Sequence, residues 1–124
     1  MKKVLIVGTG MIGQVHAHTA QKMGIDFAFV TRNPAPITKI FGPCETYTDY
    51  TVALSASHAD AVIICTPNHL HASYAIEAME QGLDVLCEKP ITATSEQAIP
   101  MLEAAKRTGR TLMVGYVLRQ SQAM

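Results

Sequence analysis

The sequence predicts an α/β fold, a doubly wound parallel sheet with strand order 3-2-1-4-5-6. Three observations lead there. Short apolar runs alternate with helix-length segments from end to end, the rhythm of βαβ units. The first run, Val4 to Val7, is continuously apolar, as a strand buried on both faces must be. A glycine-rich turn, Gly8 to Gly13, leads from that run directly into a helical segment.

The elements follow in order. Val4 to Val7 is the first strand. In Met11 to Met23 the apolar positions Ile12, Val15, Thr19/Ala20 and Met23 recur at helical spacing, and Gly24 suits the C′ position. Phe27 to Val30 is the second strand. Pro34, Pro36 and Pro43 restrict the next helix to a short piece around Ile37 to Phe41. A weak strand is expected near Cys44 to Thr46. Asp49 can cap a helix running to about Ser57. Ala61 to Cys65 reads as a central strand. A helix from about Leu70 to Gln81 follows, closed by Gly82. Val85 to Cys87 is a strand, Ser95 begins a helix that ends near Gly109, and Thr111 to Tyr116 is the last strand. Right-handed crossovers then give the doubly wound order.

The chain of 124 residues is 48% hydrophobic and 16% charged, enough apolar material for a core and too little charge for disorder. Residues 1–124 read as one domain. Ten basic and ten acidic residues cancel. No basic excess marks a nucleic-acid binder, and no polybasic run marks a membrane surface. The apolar run after Met1-Lys2-Lys3 is too short for a signal peptide and is broken by Gly8. No stretch approaches the roughly 20 apolar residues of a membrane span. The reading is a soluble cytoplasmic protein without nucleic-acid or membrane partners. The cysteines, Cys44, Cys65 and Cys87, fit no zinc spacing; Cys65 and Cys87 lie in apolar runs and read as buried reduced thiols. His16/His18 and His69/His71 are spaced i, i+2, so each pair faces two ways on a helix, and no metal site is expected.

Gly8-Thr9-Gly10-Met11-Ile12-Gly13 matches G-x-G-x-x-G after a buried strand and before a helix. Gly8 allows the tight turn, Gly10 lets a pyrophosphate approach the backbone, and Gly13 lets helix and strand pack closely. The helix N-terminus offers N–H groups and partial positive charge to a diphosphate. The expected partner is therefore a dinucleotide, held along Gly8, Gly10, Met11, Ile12 and Gly13. About 20 residues past the loop, an acidic residue would bind the ribose 2′-hydroxyl of NAD. This chain has Thr31-Arg32-Asn33 there. No carboxylate repels a 2′-phosphate, Arg32 can pair with it, and Thr31 and Asn33 can donate to it. NADP is the expected cofactor, with NAD possible. The competing reading makes Arg32 a surface residue stacking on either adenine.

Ligands of doubly wound folds sit beyond the carboxyl ends of the strands, at the switch point. Two more segments should reach that crevice: Cys65-Thr66-Pro67-Asn68-His69-Leu70-His71 and Glu88-Lys89-Pro90. For Asn68 a helix cap, and for His71 a plain first-turn position, are the competing readings.

With Leu112-Met113-Val114-Gly115-Tyr116, these segments fall in the order and spacing of the glucose–fructose oxidoreductase / inositol dehydrogenase / rhizopine-catabolism (Gfo/Idh/MocA) family, which the chain resembles over essentially its whole length. The resemblance implies an NAD(P)-dependent oxidoreductase acting on a sugar, an inositol or a related polyol. Lys89 matches the lysine that lies beside nicotinamide and substrate and assists proton transfer. An ammonium there can steady a developing alkoxide. Pro90 would fix the turn. Cys65, Thr66, Pro67 and Asn68 would line the cofactor, with His71 and Glu88 near the nicotinamide ribose. Arg119 matches a polar position near the active site.

Family members continue into a second, mostly antiparallel domain that carries the substrate pocket. That domain is absent from these residues, which stop at Met124. The expectation is cofactor binding without assured turnover, unless a second domain or partner chain completes the site. The alternative is a stand-alone nucleotide-binding or redox-sensing module, or a truncated fragment, without catalysis of its own. The side around Lys89, Tyr116, Val117 and Leu118 would be exposed, and self-association through it is expected.

Overall fold

In the computed structural model, residues 3–8, 10–65, 71–87 and 95–114 are described. Among them six strands form one parallel sheet. In chain order the elements are β1 (Lys3–Val7), α1 (Met11–Met23), β2 (Asp26–Val30), α2 (Ala35–Phe41), β3 (Glu45–Tyr47) and α3 (Tyr50–Ala56). Then come β4 (Ala61–Ile64), α4 (His71–Glu80), β5 (Asp84–Cys87), α5 (Ser95–Thr108) and β6 (Leu112–Val114). The sheet order is β3-β2-β1-β4-β5-β6, the doubly wound order expected. β1 lies between β2 and β4, pairing Val7 with Val30 on one side and with Ile64 on the other. The chain therefore reverses its direction of travel across the sheet at β1 and β4.

Strand alternation divides the core in two. Leu5, Val7, Ala28, Val30, Val62, Ile64, Val85 and Cys87 face α3, α4 and α5. Val4, Ile6, Phe29, Ala61 and Ile63 face α1 and α2. With three helices on one side and two on the other, an open apolar groove runs between Ala20 and Met23 of α1 and the strand residues Ile63, Leu86 and Met113.

The helix ends behave as their residues dictate. Asp49 caps α3, its carboxylate accepting from the Val52 N–H at 2.9 Å. Gly24 ends α1 in the left-handed region at φ 73°, donating to the carbonyls of Ala20 and Gln21. Pro34 stands at the start of α2, where no intrahelical N–H bond is lost. The third strand lies one residue later than expected, and the last strand begins at Leu112 rather than Thr111 and is described as far as Val114.

The apolar positions that recur along α1 divide between two environments. Val15 and Met23 are 53% and 67% exposed, while Ala20, with Ala17, is buried. Close approach to the sheet selects the small side chains, and the bulky ones are turned outward. Cys87 is buried as expected, but Cys65 is only half-buried, because it already lies past the end of β4; none of the three cysteines forms a disulfide.

Tyr50 joins α3 to α4. Its ring stacks on Tyr74 at 4.0 Å and 13°, and its hydroxyl donates to the Tyr74 carbonyl at 2.7 Å. Burial, with Glu77 nearby, raises the Tyr50 hydroxyl pKa well above the ordinary tyrosine range. The unfolded chain releases this proton above about pH 10 while the fold retains it, so stability falls as pH rises past that point. Tyr50→Phe is expected to cost about 1 kcal/mol at neutral pH and to flatten the alkaline limb. Urea unfolding at about pH 8 and about pH 10.5 checks this; an unchanged alkaline slope would refute the assignment.

Candidate functional site

Three segments meet at the carboxyl edge of three adjacent strands. Gly8 follows β1, Thr31 follows β2 and Cys65 follows β4. Backbone bonds tie them together. Gly8 N–H donates to the Val30 carbonyl at 3.2 Å, Cys65 N–H to Val7 at 2.9 Å, and Thr31 N–H to Tyr47 at 2.8 Å. The crevice sits where the strand order reverses, the usual ligand position in open α/β sheets.

The glycines differ in what the protein itself requires of them. Gly8 has φ 105°, a region that side chains rarely adopt, and a Cβ there would stand 3.2 Å from the Cys65 carbonyl oxygen. A Cβ on Gly13 would fall inside the contact distance of the Gly8 carbonyl oxygen. Turn and helix are thus pressed together with no room for a methyl group. Gly10 is different. Its backbone is extended at φ −68°, ψ −173°, and a Cβ would meet nothing within 4 Å. Nothing among the described residues calls for glycine at this position.

Gly10 is also the N-cap of α1 and brings no side-chain acceptor; the first turn carries no acidic residue. Helix geometry leaves the N–H groups ahead of Gln14 without intrahelical acceptors, the first such bond running from Gln14 N–H to the Gly10 carbonyl at 3.1 Å. Positive dipole, N–H groups and clear space coincide at the crevice, which is the physical requirement for a diphosphate.

One strand over, Thr31 is half-buried and Arg32 and Asn33 are exposed. Arg32 forms no hydrogen bond or ion pair with another described residue. Sequence reasoning missed Tyr47, whose carbonyl holds Thr31 in place. The signal was faint, because the strand carrying it is only three residues long.

Cys65 stands beside Gly8 at the same edge. Met11, Ile12 and His71 belong to the first turns of α1 and α4. The expected contributions of Thr66, Pro67, Asn68, Glu88, Lys89, Pro90 and Arg119 lie outside the described residues, as does the side around Tyr116, Val117 and Leu118. Cys87 pairs with Ile64, so β5 delivers the chain to the same edge just ahead of Glu88.

The two glycines make a contrasting pair for substitution. Gly13→Ala is expected to destabilise the fold by about 1–3 kcal/mol, because backbone must shift to admit the methyl group. Gly10→Ala is expected to change stability by less than about 1 kcal/mol and to weaken dinucleotide binding about tenfold or more. Thermal denaturation and a fluorescence titration with NADPH measure the two effects; unimpaired binding by Gly10→Ala would contradict the loop's role.

The sequence profile of the oxidoreductase family with an NAD-binding Rossmann fold matches residues 2–116. The chain is 33% identical over 125 residues to inositol 2-dehydrogenase 4 of Saccharopolyspora erythraea, covering 94% of this chain and 37% of that protein. Among solved structures, it resembles scyllo-inositol dehydrogenase of Lactobacillus casei, determined with NAD(H) and scyllo-inositol bound. The TM-score is 0.85 at 25% identity, over 96% of this chain and 37% of that one. It also resembles the biliverdin reductase of Synechocystis, determined with biliverdin and NADP+: TM-score 0.82, 26% identity, 90% of this chain and 37% of that one. The chain spans about a third of the length of these relatives. With its doubly wound sheet and its glycine turn at the β1–β4 reversal, the chain belongs to the Gfo/Idh/MocA oxidoreductase family as its NAD-binding Rossmann domain.

Proposed function

We propose that residues 1–124 form the cofactor-holding domain of an oxidoreductase acting on a sugar, an inositol or a related polyol, and that the preferred cofactor is NADP. The observation that carries the dinucleotide reading is Gly10: open, unstrained and uncapped at the head of α1, it is a glycine that nothing among the described residues requires. The crevice residues present fit the pyrophosphate for that reason. Gly8, Gly10, Met11, Ile12 and Gly13 would hold it, with Cys65, Thr66, Pro67, Asn68 and His71 beside the ribose and phosphate path. When bound, the nicotinamide supplies the hydride acceptor or donor. Lys89 would orient the reacting hydroxyl and stabilise negative charge on its oxygen, with Glu88 alongside and Pro90 holding the turn. The polyol assignment is supported by the inositol dehydrogenases among the relatives. Turnover is proposed to need protein beyond these residues, since the relatives are about three times as long.

The NADP preference is supported by charge. Thr31-Arg32-Asn33 contains no carboxylate, and Arg32 is exposed, two residues past the Val30 that bonds to Gly8, without a partner among the described residues. A guanidinium–phosphate contact contributes about 1.5–3 kcal/mol. Arg32→Ala is therefore expected to weaken NADPH binding about tenfold to a hundredfold while changing NADH binding by less than about threefold. Parallel titrations decide it, and equal or tighter NADH binding by the unmodified chain would sink the preference. Self-association through the side around Lys89 and Tyr116 is proposed for the chain by itself; sedimentation showing a monomer at high concentration would contradict it.

A further inference from the structure

Resting on the NADP reading, we infer that Thr31 is a positioning residue that aims Arg32, rather than a ligand of the 2′-phosphate. The argument begins with the ends of the segment. The Val30 carbonyl accepts from Gly8 and the Thr31 N–H donates to Tyr47, so both neighbouring strands hold the chain where it leaves β2. The Thr31 side chain then closes the turn. Its Oγ1 accepts from the Asn33 N–H at 3.2 Å and donates to the Asn33 carbonyl at 3.2 Å. A hydroxyl has one proton to donate, and here Asn33 takes it. A phosphate oxygen at neutral pH needs a donor, and Thr31 could serve one only by giving up its bond to the Asn33 carbonyl.

Asn33 is engaged as well. Its Oδ1 accepts from the Ala35 N–H at 3.3 Å, at the start of α2. Pro34 follows directly and narrows the backbone choices of Asn33. Thr31 Oγ1 and Asn33 Oδ1 are thus spent on building the loop, and Arg32, exposed between them, carries the side chain that the loop does not use. A guanidinium carried on a closed turn loses less freedom on binding than one on an open loop. Thr31 then raises NADPH affinity through Arg32 and leaves NADH affinity nearly unaffected.

The test is a double-mutant cycle in the 124-residue chain, with NADPH and NADH titrated against each variant. Thr31→Val keeps the branched shape and removes the hydroxyl, and Thr31→Ser restores it. The expected result is that Thr31→Val lowers the NADPH-over-NADH ratio about threefold to tenfold. Thr31→Ser should recover the ratio. In the Arg32→Ala background, Thr31→Val should leave NADPH binding unchanged. A Thr31→Val effect that persists undiminished without Arg32 would make Thr31 a direct ligand and overturn the inference. So would an unchanged ratio, or an equal loss for both cofactors together with a lower Tm. These failures leave the NADP reading standing. That reading fails separately, and takes this inference with it, if the unmodified chain shows no preference for NADPH.

Discussion

The close approach of α1 to β1 is the constraint from which the rest of the crevice follows. Gly13 lies against the Gly8 carbonyl with no room for a Cβ, and Ala17 and Ala20 continue the contact down the helix. Interiors pack to crystal-like density, so one missing methyl group can set where a helix sits. This contact sets the rotation of α1, which explains the outward Val15 and Met23. It also brings the helix N-terminus over the carboxyl end of β1, next to the strand-order reversal. The same small-residue contact that builds the domain thus places the α1 N-terminus, where the proposed diphosphate would sit, at the crevice.

The parallel ladder does the second part of the work. Because Val7 is level with both Val30 and Ile64, the segments leaving β1, β2 and β4 emerge side by side. Hydrogen bonds from Gly8 to Val30 and from Thr31 to Tyr47 continue the ladder one residue beyond the strands. The glycine turn and the Thr31–Asn33 turn are therefore linked through the Gly8–Val30 bond, although seventeen residues separate them in sequence. The proposed NADP preference depends on where this linkage places the Thr31–Asn33 turn relative to the glycine turn.

On the far side of the sheet, the Tyr50–Tyr74 stack ties α3 to α4. It places the helix that begins at His71 relative to the strand that ends at Tyr47. An aromatic pair with a buried hydroxyl bonded to backbone gives both packing and direction. The opposite face has two helices against three, and the groove along Ile63, Leu86 and Met113 stays open.

The strand order, the eleven elements and the glycine turn were legible in the sequence, because each rests on local signals: apolar runs, a capping Asp49, a C′ glycine at Gly24, prolines bounding α2. Arg32 was legible too, as a cation where an acid would otherwise stand. The face that α1 buries was not, because bulk apolarity points to Val15 and Met23, whereas the Gly8–Gly13 contact rewards the absence of side chain. The distinction between Gly10 and its two neighbours was equally hidden: the motif shows three glycines alike. Only the packed structure separates the two that the protein needs from the one it leaves open. By itself the sequence determined a doubly wound fold and the glycine turn that follows its first strand, since these depend on composition and spacing. The tertiary structure decided which face packs, which glycine stays clear, and that Thr31 bonds back to Asn33, because those outcomes depend on atoms meeting across strands and turns.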